Sequence, residues 1–243
     1  MPAEILERLS RRPFSVVGHR GARGLAPENS LRALREAIRA GADVAEFDVQ
    51  VTADGIPVAS HDPVIVADDG SRVDIRSTRW PDLSRITVGG EPLARIEEIL
   101  AEARGRIGIF LEVKEPRDTA AVCSLLHRLD AVNYTAMISF YEEALLEARR
   151  LIPGLVTGII YFKPPGKILD CKRMGCRIVL PRYPLATAKA VTLAHRLGLK
   201  VVAWTVNDAE WVRRLVERGV DAIATDYPDR LVRLREELSA GSR

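Results

Sequence analysis

The stretch VAEFDVQVTADGIPVAS, residues 44–60, begins with a regular alternation of apolar and acidic side chains. Successive side chains of a β-strand point to opposite faces, so Glu46 and Asp48 share one face. The other face carries only apolar side chains, namely Ala45, Phe47 and Val49. We therefore predict a strand over Val44–Val51 whose apolar face meets helices and whose two carboxylates point the other way.

A tight turn follows this strand at Asp54-Gly55, a dipeptide that is typical of β-hairpins. The next strand-like run, Ile56–Ser60, begins too soon for a helix to precede it. We therefore predict a hairpin that returns His61 towards the end of the sheet from which the chain left. The polar, irregular segment at about 62–91 is predicted to form a small cap insertion over that end.

The rest of the chain repeats a simpler rhythm of short β-branched runs and longer amphipathic stretches, the pattern of βα units. Helices are predicted near Ser30–Ala40, Leu93–Arg104, Thr119–Leu129, Glu142–Leu151, Ala186–Leu197, Ala209–Arg218 and Arg230–Leu238, after a short leading helix within Met1–Arg12. The predicted strands are Phe14–Val17, Val44–Val51, Ile107–Val113, Thr135–Ser139, Leu155–Ile160, Arg177–Leu180, Lys200–Thr205 and Ala222–Thr225.

Eight strands with helices between them predict an α/β protein, a closed (β/α)8 TIM barrel that forms one domain over residues 1–243. An open, doubly wound sheet is the alternative, because periodicity does not prove closure. Four glycines that end predicted helices support the helix boundaries, and these are Gly41, Gly105, Gly198 and Gly219.

Composition excludes several classes of protein. The chain is 47% hydrophobic with a net charge of +3, and its arginines are scattered, so we expect no nucleic-acid partner. No apolar run approaches the ~20 residues of a membrane span. The three cysteines are too few and too irregularly spaced for a disulfide framework or a four-ligand zinc site, so we expect reduced thiols and a cytoplasmic location. A homo-oligomer is left open.

A second pair of polar residues, Glu112 and Lys114, shares one face of the third predicted strand. Enzymes on this barrel place their sites at the carboxyl ends of the strands, so Glu46, Asp48 and Glu112 are predicted to converge there. Carboxylates that lie together need a balancing cation, and oxygen ligands suit Mg²⁺ or Ca²⁺. The sequence thus predicts one divalent metal ion, with ion pairing at strand ends as the alternative.

The loop after the first strand reads GHRGARG, residues 18–24, and combines flexible glycines with an imidazole and two guanidinium groups. This composition suits a phosphate group. A variant dinucleotide-binding loop is the rival interpretation, with Glu46 near the position of a ribose-binding acid. The glycine spacing departs from that fingerprint, and Pro27 delays the helix that would receive the pyrophosphate.

Two histidines, His19 and His61, are predicted to reach the same face beside the acids. This arrangement favours a general acid and base. His127 and His195 fall within predicted helices, and we assign them no role. Trp204 ends the seventh strand, where it can wall a substrate pocket or, equally well, pack in the core.

These residues resemble the glycerophosphodiester phosphodiesterase family in its short cytoplasmic form from bacteria and archaea. The resemblance extends in order from Val16 to Asp229. It is carried by Gly18-His19-Arg20-Gly21, Pro27-Glu28-Asn29-Ser30, Gly41-Ala42-Asp43, Glu46-Phe47-Asp48-Val49, Thr52-Ala53-Asp54-Gly55, His61-Asp62, Leu111-Glu112-Val113-Lys114, Ser139-Phe140, Trp204-Thr205-Val206-Asn207 and Gly219-Val220-Asp221-Ala222.

The resemblance implies a metal-dependent hydrolase on a (β/α)8 barrel. It implies that a phosphodiester such as glycerophosphocholine or glycerophosphoethanolamine is cleaved to glycerol 3-phosphate and an alcohol, in lipid and glycerol metabolism. Its roles for the matching residues are catalysis by His19 and His61, phosphate binding by Arg20 and Lys114, and metal binding by three acids, which are Glu46, Asp48 and Glu112.

The chain departs from the family pattern at two places. Ser30 stands where threonine is more common, and we expect it to keep the helix cap. After His61-Asp62 the family continues with leucine and arginine, whereas this chain reads PVIVADDG over residues 63–70. The sequence therefore leaves open which alcohol headgroup of the substrate is preferred. A lysophospholipase D is an alternative that an apolar groove beside Trp204 and the cap would favour, and a phosphate-binding module without catalysis is a second.

Overall fold

The computed structural model describes residues 3–164 and 166–240 of the chain. Its central element is a ring of eight parallel strands, numbered here β1 to β8 in chain order. The strands are Ser15–Gly18, Val44–Val51, Gly108–Val113, Thr135–Ser139, Val156–Tyr161, Ile178–Pro181, Lys200–Ala203 and Ala222–Thr225.

The first strand closes the ring because it pairs on both sides. Val17 is in register with Val44 of β2, and Ser15 with Ala222 of β8. The predicted closed barrel is thus confirmed, and the open-sheet alternative is wrong. The closed barrel also argues against the interpretation of residues 18–24 as a dinucleotide-binding loop, because the glycine-rich fingerprint for dinucleotides belongs to open, doubly wound sheets.

A helix follows each barrel strand, after the insertion in the case of β2. These helices are Leu31–Arg39, Ile96–Ala103, Thr119–Arg128, Glu142–Leu151, Ile168–Met174, Ala188–Arg196, Ala209–Glu217 and Pro228–Ala240. Ser30 accepts a hydrogen bond from the Ala33 amide at 3.0 Å, so the predicted cap is confirmed. In the described part of the chain, no helix combines the length and apolar character needed to cross a membrane.

The helix Ile168–Met174 is absent from the sequence-based prediction. It has only seven residues, of which Ile168 and Cys171 are buried, so it shows too little periodicity to be recognised. Gly175 ends it in the left-handed conformation at φ +74°. The helix predicted from Leu93 begins instead at Ile96, because Leu93 packs under the insertion and the Ala94 carbonyl accepts the Ala59 amide.

The barrel separates two hydrophobic cores. The outward residues of β2 pack with the surrounding helices, as the alternation predicts. The inner core is closed at the amino ends of the strands by the leading helix, Glu4–Arg8, which buries Ile5 and Leu6. Met1 and Pro2, the first residues of the predicted leading helix, lie outside the described residues. The opposite end of the barrel is left open for a site.

The predicted hairpin is confirmed, with Pro57–Ala59 running antiparallel to the end of β2. The insertion (residues 62–91) contains two small hairpins, a 3-10 turn and a short helix. Their bounds are Val64–Val66 with Arg72–Asp74, Ile75–Ser77, Trp80–Leu83, and Thr87–Val88 with Glu91–Pro92. Its own small core joins it to the hairpin strand through Val58.

Candidate active site

The carboxyl ends of the barrel strands surround a cavity of about 280 Å³. All eight residues singled out from the sequence line it, although they come from five separate segments of the chain. They are His19, Arg20, Glu46, Asp48, His61, Glu112, Lys114 and Trp204. His195 lies at the amino ends of the strands and bonds Asp221 at 2.8 Å, away from this cavity.

The loop after β1 is shaped by glycine and asparagine. The Gly21 amide donates to the Glu46 carbonyl at 2.8 Å, and its φ of +82° requires glycine. A Cβ on Gly21 would stand 2.7 Å from the Ala33 side chain, so the loop packs directly on the following helix. Asn29, at φ +56°, links the loop to β2 by donating to Asp48 and accepting from its amide.

Three carboxylates meet at the centre of the polar side of the cavity. Oxygens of Glu46, Asp48 and Glu112 all lie within 4.8 Å of one another. Burial and the neighbouring carboxylates raise the pKa of Glu46 well above its ordinary value. Burial and the charge of Asp48 likewise raise the pKa of Glu112. The cluster therefore stores electrostatic repulsion that a cation would relieve.

Two basic side chains already lie against this cluster. Lys114 Nζ contacts Glu112 at 2.6 Å and Asp48 at 3.1 Å. Arg20 Nε lies 3.2 Å from Asp48, and its Nη1 donates to Glu28 at 2.6 Å. Burial alone would raise the pKa of Asp48, but Lys114 and Arg20 outweigh it and the net shift is downward. Among the three acids, Asp48 is thus the one whose ionised form its neighbours favour most.

Asp226, which is not among the residues predicted from the sequence, binds His19. His19 Nδ1 lies 2.7 Å from Asp226 Oδ1, and Asn207 donates to the other carboxylate oxygen at 2.7 Å. Burial would raise the pKa of Asp226, but the hydrogen bonds from His19 and Asn207 bring it below its ordinary value. The carboxylate thus accepts the Nδ1 proton and leaves Nε2 of His19 as the free nitrogen.

His61 stands in a more open setting. Its Nδ1 lies 2.9 Å from Asp62 Oδ1, but Asp62 is 72% exposed where Asp226 is only 17% exposed. The Gln50 side chain fixes the backbone of His61 by donating to its carbonyl at 3.1 Å. His61 also lines a second groove, which the insertion forms with the β1 loop and which includes Glu28, Asp62 and Glu91. The two cavities therefore meet at His61.

The remaining wall of the cavity is apolar and is supplied by β4 to β8. Its residues are Ile138, Phe140, Ile160, Leu180, Val202, Trp204 and Ala224. Trp204 is anchored by its indole N–H, which donates to the Leu180 carbonyl at 2.7 Å. Phe140 packs edge-on against Trp204 with ring centroids 5.8 Å apart.

Sequence reasoning missed Asp226, although a usable signal exists. Asp226 follows β8 directly, so the rule that drew attention to polar residues at strand ends applies to it equally. Asn207 and Asn29 occur within the motifs that carry the family resemblance, yet nothing in their spacing predicts which side chains they hold. Those contacts depend on loop conformations that strand periodicity does not describe.

Comparison with known proteins agrees with this geometry. The profile of the "Glycerophosphoryl diester phosphodiesterase family" matches residues 19–230. A glycerophosphodiester phosphodiesterase of Caldanaerobacter subterraneus is 25% identical over 90% of this chain and 96% of its own length.

Two solved structures are also similar. A Silicibacter pomeroyi protein, provisionally described as a glycerophosphoryl diester phosphodiesterase, has a TM-score of 0.91 at 29% identity over 98% of each chain. An Oleispira antarctica phosphodiesterase, solved with the product sn-glycerol 3-phosphate, has a TM-score of 0.82 at 26% identity over 90% of this chain and 96% of its own. The chain belongs to the glycerophosphoryl diester phosphodiesterase family and is a phosphoric diester hydrolase.

Proposed function

We propose that this enzyme hydrolyses glycerophosphodiesters such as glycerophosphocholine and glycerophosphoethanolamine to sn-glycerol 3-phosphate and an alcohol. One divalent cation and the pair His19 and His61 would carry the reaction. The observation that most supports this proposal is the joint position of two carboxylate-bound histidines and three clustered carboxylates around one cavity. The similar Oleispira antarctica enzyme, solved with sn-glycerol 3-phosphate, supports the same product.

The chemistry of Glu46, Asp48 and Glu112 fits a hard cation. Their ligands are all oxygen, and Glu46 Oε1 is buried with no hydrogen-bond partner. A buried carboxylate oxygen without a partner is costly unless a cation or water satisfies it. Mg²⁺ or Ca²⁺ bound there would supply Lewis-acid stabilisation of charge that develops on the phosphoryl oxygens.

The histidines would transfer the two protons of the reaction. Asp226 and Asp62 each accept from Nδ1, so both Nε2 atoms are available for the substrate. One histidine deprotonates the nucleophile, and the other, protonated, donates to the departing alkoxide. Both must be in the correct protonation state, so we expect a bell-shaped dependence of kcat/KM on pH.

Arg20 and Lys114 would bind the phosphate, with Trp204 against the organic part of the substrate. Both cations lie at the cavity and contact the carboxylates. A divalent ion among the acids would take over the charge compensation that Lys114 now gives, which leaves its ammonium group for the phosphoryl oxygens.

The test is release of sn-glycerol 3-phosphate from glycerophosphocholine by the purified enzyme with EDTA, Mg²⁺ or Ca²⁺. Activity that depends on metal and is lost in His19→Ala supports the proposal. If the folded enzyme binds sn-glycerol 3-phosphate but cleaves no glycerophosphodiester with any metal, the proposal fails in favour of a binding module.

We also propose that the protein is cytoplasmic. Cys123, Cys171 and Cys176 are all free thiols in buried positions. Free thiols are typical of proteins from a reducing compartment.

A further inference from the structure

A chain of hydrogen bonds leads from the insertion to the backbone of His61. Arg76 Nη2 donates to Gln50 Oε1 at 2.6 Å, and Gln50 Nε2 donates to the His61 carbonyl at 3.1 Å. The Arg76 guanidinium also binds the Asp118 carboxylate through two hydrogen bonds, at 2.7 and 3.1 Å. Arg76 lies outside both cavities, so any effect that it has on the reaction must pass through other residues.

The Gln50 amide can face its two partners in only one way. Gln50 is 2% exposed, and a carboxamide accepts through its oxygen and donates through its nitrogen. Because a guanidinium only donates, the Gln50 oxygen must face Arg76, and the nitrogen then faces the His61 carbonyl. If Arg76 were removed, the amide could turn and present its oxygen to that carbonyl oxygen. Arg76 thus sets the direction of the hydrogen bond that His61 receives.

Arg76 is itself held on two sides. Asp118 is 4% exposed and lies in the 3-10 turn Pro116–Asp118, which follows β3. The Arg76 amide donates to the Asp74 side chain at 2.9 Å, and the preceding Ile75 is fully buried in the core of the insertion. The planar guanidinium is therefore a rigid link between the insertion, β2 and the segment after β3.

The imidazole of His61 is held weakly by its own side-chain contact. Its Nδ1 bonds Asp62, which is 72% exposed, and exposed pairs of this kind contribute little. His19, by contrast, bonds Asp226, whose side chain is only 17% exposed. The placement of His61 therefore relies on its backbone, which Gln50 anchors at the carbonyl.

We propose that Arg76 is a positioning residue, which acts through the Gln50 amide to hold the His61 imidazole where it can transfer a proton. This inference rests on the function proposed above, in which His61 is one of the two proton-transfer groups. It makes catalysis depend on the insertion, because the insertion supplies the guanidinium. The alternative is a purely structural role, in which the ion pair of Arg76 and Asp118 only attaches the insertion to the barrel.

Gln50→Glu separates these two roles. A carboxylate still accepts from Arg76, so the attachment of the insertion is kept, but it offers no donor to the His61 carbonyl. We expect kcat for glycerophosphocholine at the pH optimum to fall by about 10–100-fold with little change in KM, because misplacement of a reacting group by about 1 Å can have an effect of this size. The added charge alone would move the limbs of the pH profile and leave kcat at the optimum unchanged.

Arg76→Met removes the guanidinium and should lower kcat on the same scale. Arg79→Met is its matched control, because Arg79 belongs to the same insertion, is 73% exposed and contacts Asp54 only at 3.8 Å. This control should keep full activity. An equal loss of kcat in Arg76→Met and Arg79→Met would overturn the inference.

NMR of the labelled imidazoles reports the position of His61 independently of turnover. The chain has four histidines, and the signal of His61 is identified by its absence from His61→Ala. In Gln50→Glu and Arg76→Met this signal should shift or broaden, while those of His127 and His195 stay in place. A loss of stability alone does not produce such a selective change.

The inference is overturned if Gln50→Glu keeps the kcat of the unmodified enzyme at the pH optimum, or if the His61 signal is unchanged in both variants. Failure of the proposed function is a different result. If His61→Ala keeps full activity, or if the unmodified enzyme cleaves no glycerophosphodiester, His61 is not a proton-transfer group and the proposed function itself fails. Loss of activity in His61→Ala together with intact kcat in Gln50→Glu refutes the positioning role alone.

Discussion

The two sides of the barrel mouth differ sharply in chemistry. Strands β1 to β3 and the returning hairpin bring seven charged or titratable side chains to the cavity, whereas β4 to β8 bring only apolar and aromatic ones. We call these the polar sector and the apolar sector. Because the apolar sector keeps water away from one side of the charged groups, it strengthens the electrostatic interactions among the side chains of the polar sector. From this difference we expect that catalysis and substrate selection can be altered separately on this barrel.

The largest effect should come from the histidines of the polar sector. His19→Ala removes one of the two proposed proton-transfer groups, so we expect kcat to fall by about 10²–10⁴-fold. Steady-state release of sn-glycerol 3-phosphate measures it. His195→Ala is the control, since His195 lies at the other end of the barrel, and it should retain full activity. A comparable loss in both variants would contradict the assignment.

The next largest effect is expected from the three clustered carboxylates. Glu112→Gln keeps the shape of the side chain but removes the negative charge of one of the three proposed ligands, so we expect divalent-cation affinity to fall by about 10–100-fold. Calorimetric titration of the metal-free enzyme with Mg²⁺ or Ca²⁺ gives the affinity directly. Glu97→Gln is the control, because Glu97 is a half-exposed helix residue that pairs with Arg128 at 3.1 Å and does not line the cavity. Unchanged affinity in Glu112→Gln would exclude Glu112 as a ligand.

The two histidine partners offer a finer comparison within the polar sector. Asp226→Asn disturbs a carboxylate held by His19 and Asn207 and should lower kcat about tenfold or more. Asp62→Asn alters an exposed partner, so its effect should stay within about threefold. The pH profile of kcat/KM distinguishes positioning from folding damage, because only Asp226→Asn should shift the limb that belongs to His19. Equal effects in the two variants would show that burial of the partner is irrelevant.

A smaller change is expected in stability. The pKa values of Glu46 and Glu112 are raised, so the metal-free folded chain binds these protons more tightly than the unfolded chain does. Its free energy of unfolding therefore falls as pH rises from about 4.3 through the raised values. A divalent cation bound among the acids would cancel this loss, so the rise in Tm on adding metal should grow between about pH 4 and 7. Each kcal/mol of restored unfolding free energy corresponds to about 2–4 °C in Tm. Calorimetry with and without metal measures the trend. A metal-induced rise in Tm that is the same at every pH would contradict this prediction.

The sequence predicts the polar sector better than the rest of the mouth. Alternation along β2 is enough to pair Glu46 with Asp48, and the Asp54-Gly55 turn explains how His61 comes to the cavity. Phe140 lies just beyond its strand, where no periodicity indicates which way a side chain points. The short helix Ile168–Met174 was missed for a similar reason, since two buried residues make no pattern. What sequence reasoning lacks here is loop geometry.

One pair of variants tests the division between the sectors most directly. Steady-state kinetics on glycerophosphocholine with saturating metal should be measured for His61→Ala, from the polar sector, and Phe140→Ala, from the apolar sector. We predict that His61→Ala lowers kcat by at least about 10²-fold with little change in KM, and that Phe140→Ala raises KM with kcat nearly intact. A loss of kcat in Phe140→Ala as large as that in His61→Ala, with both proteins folded, would contradict the account.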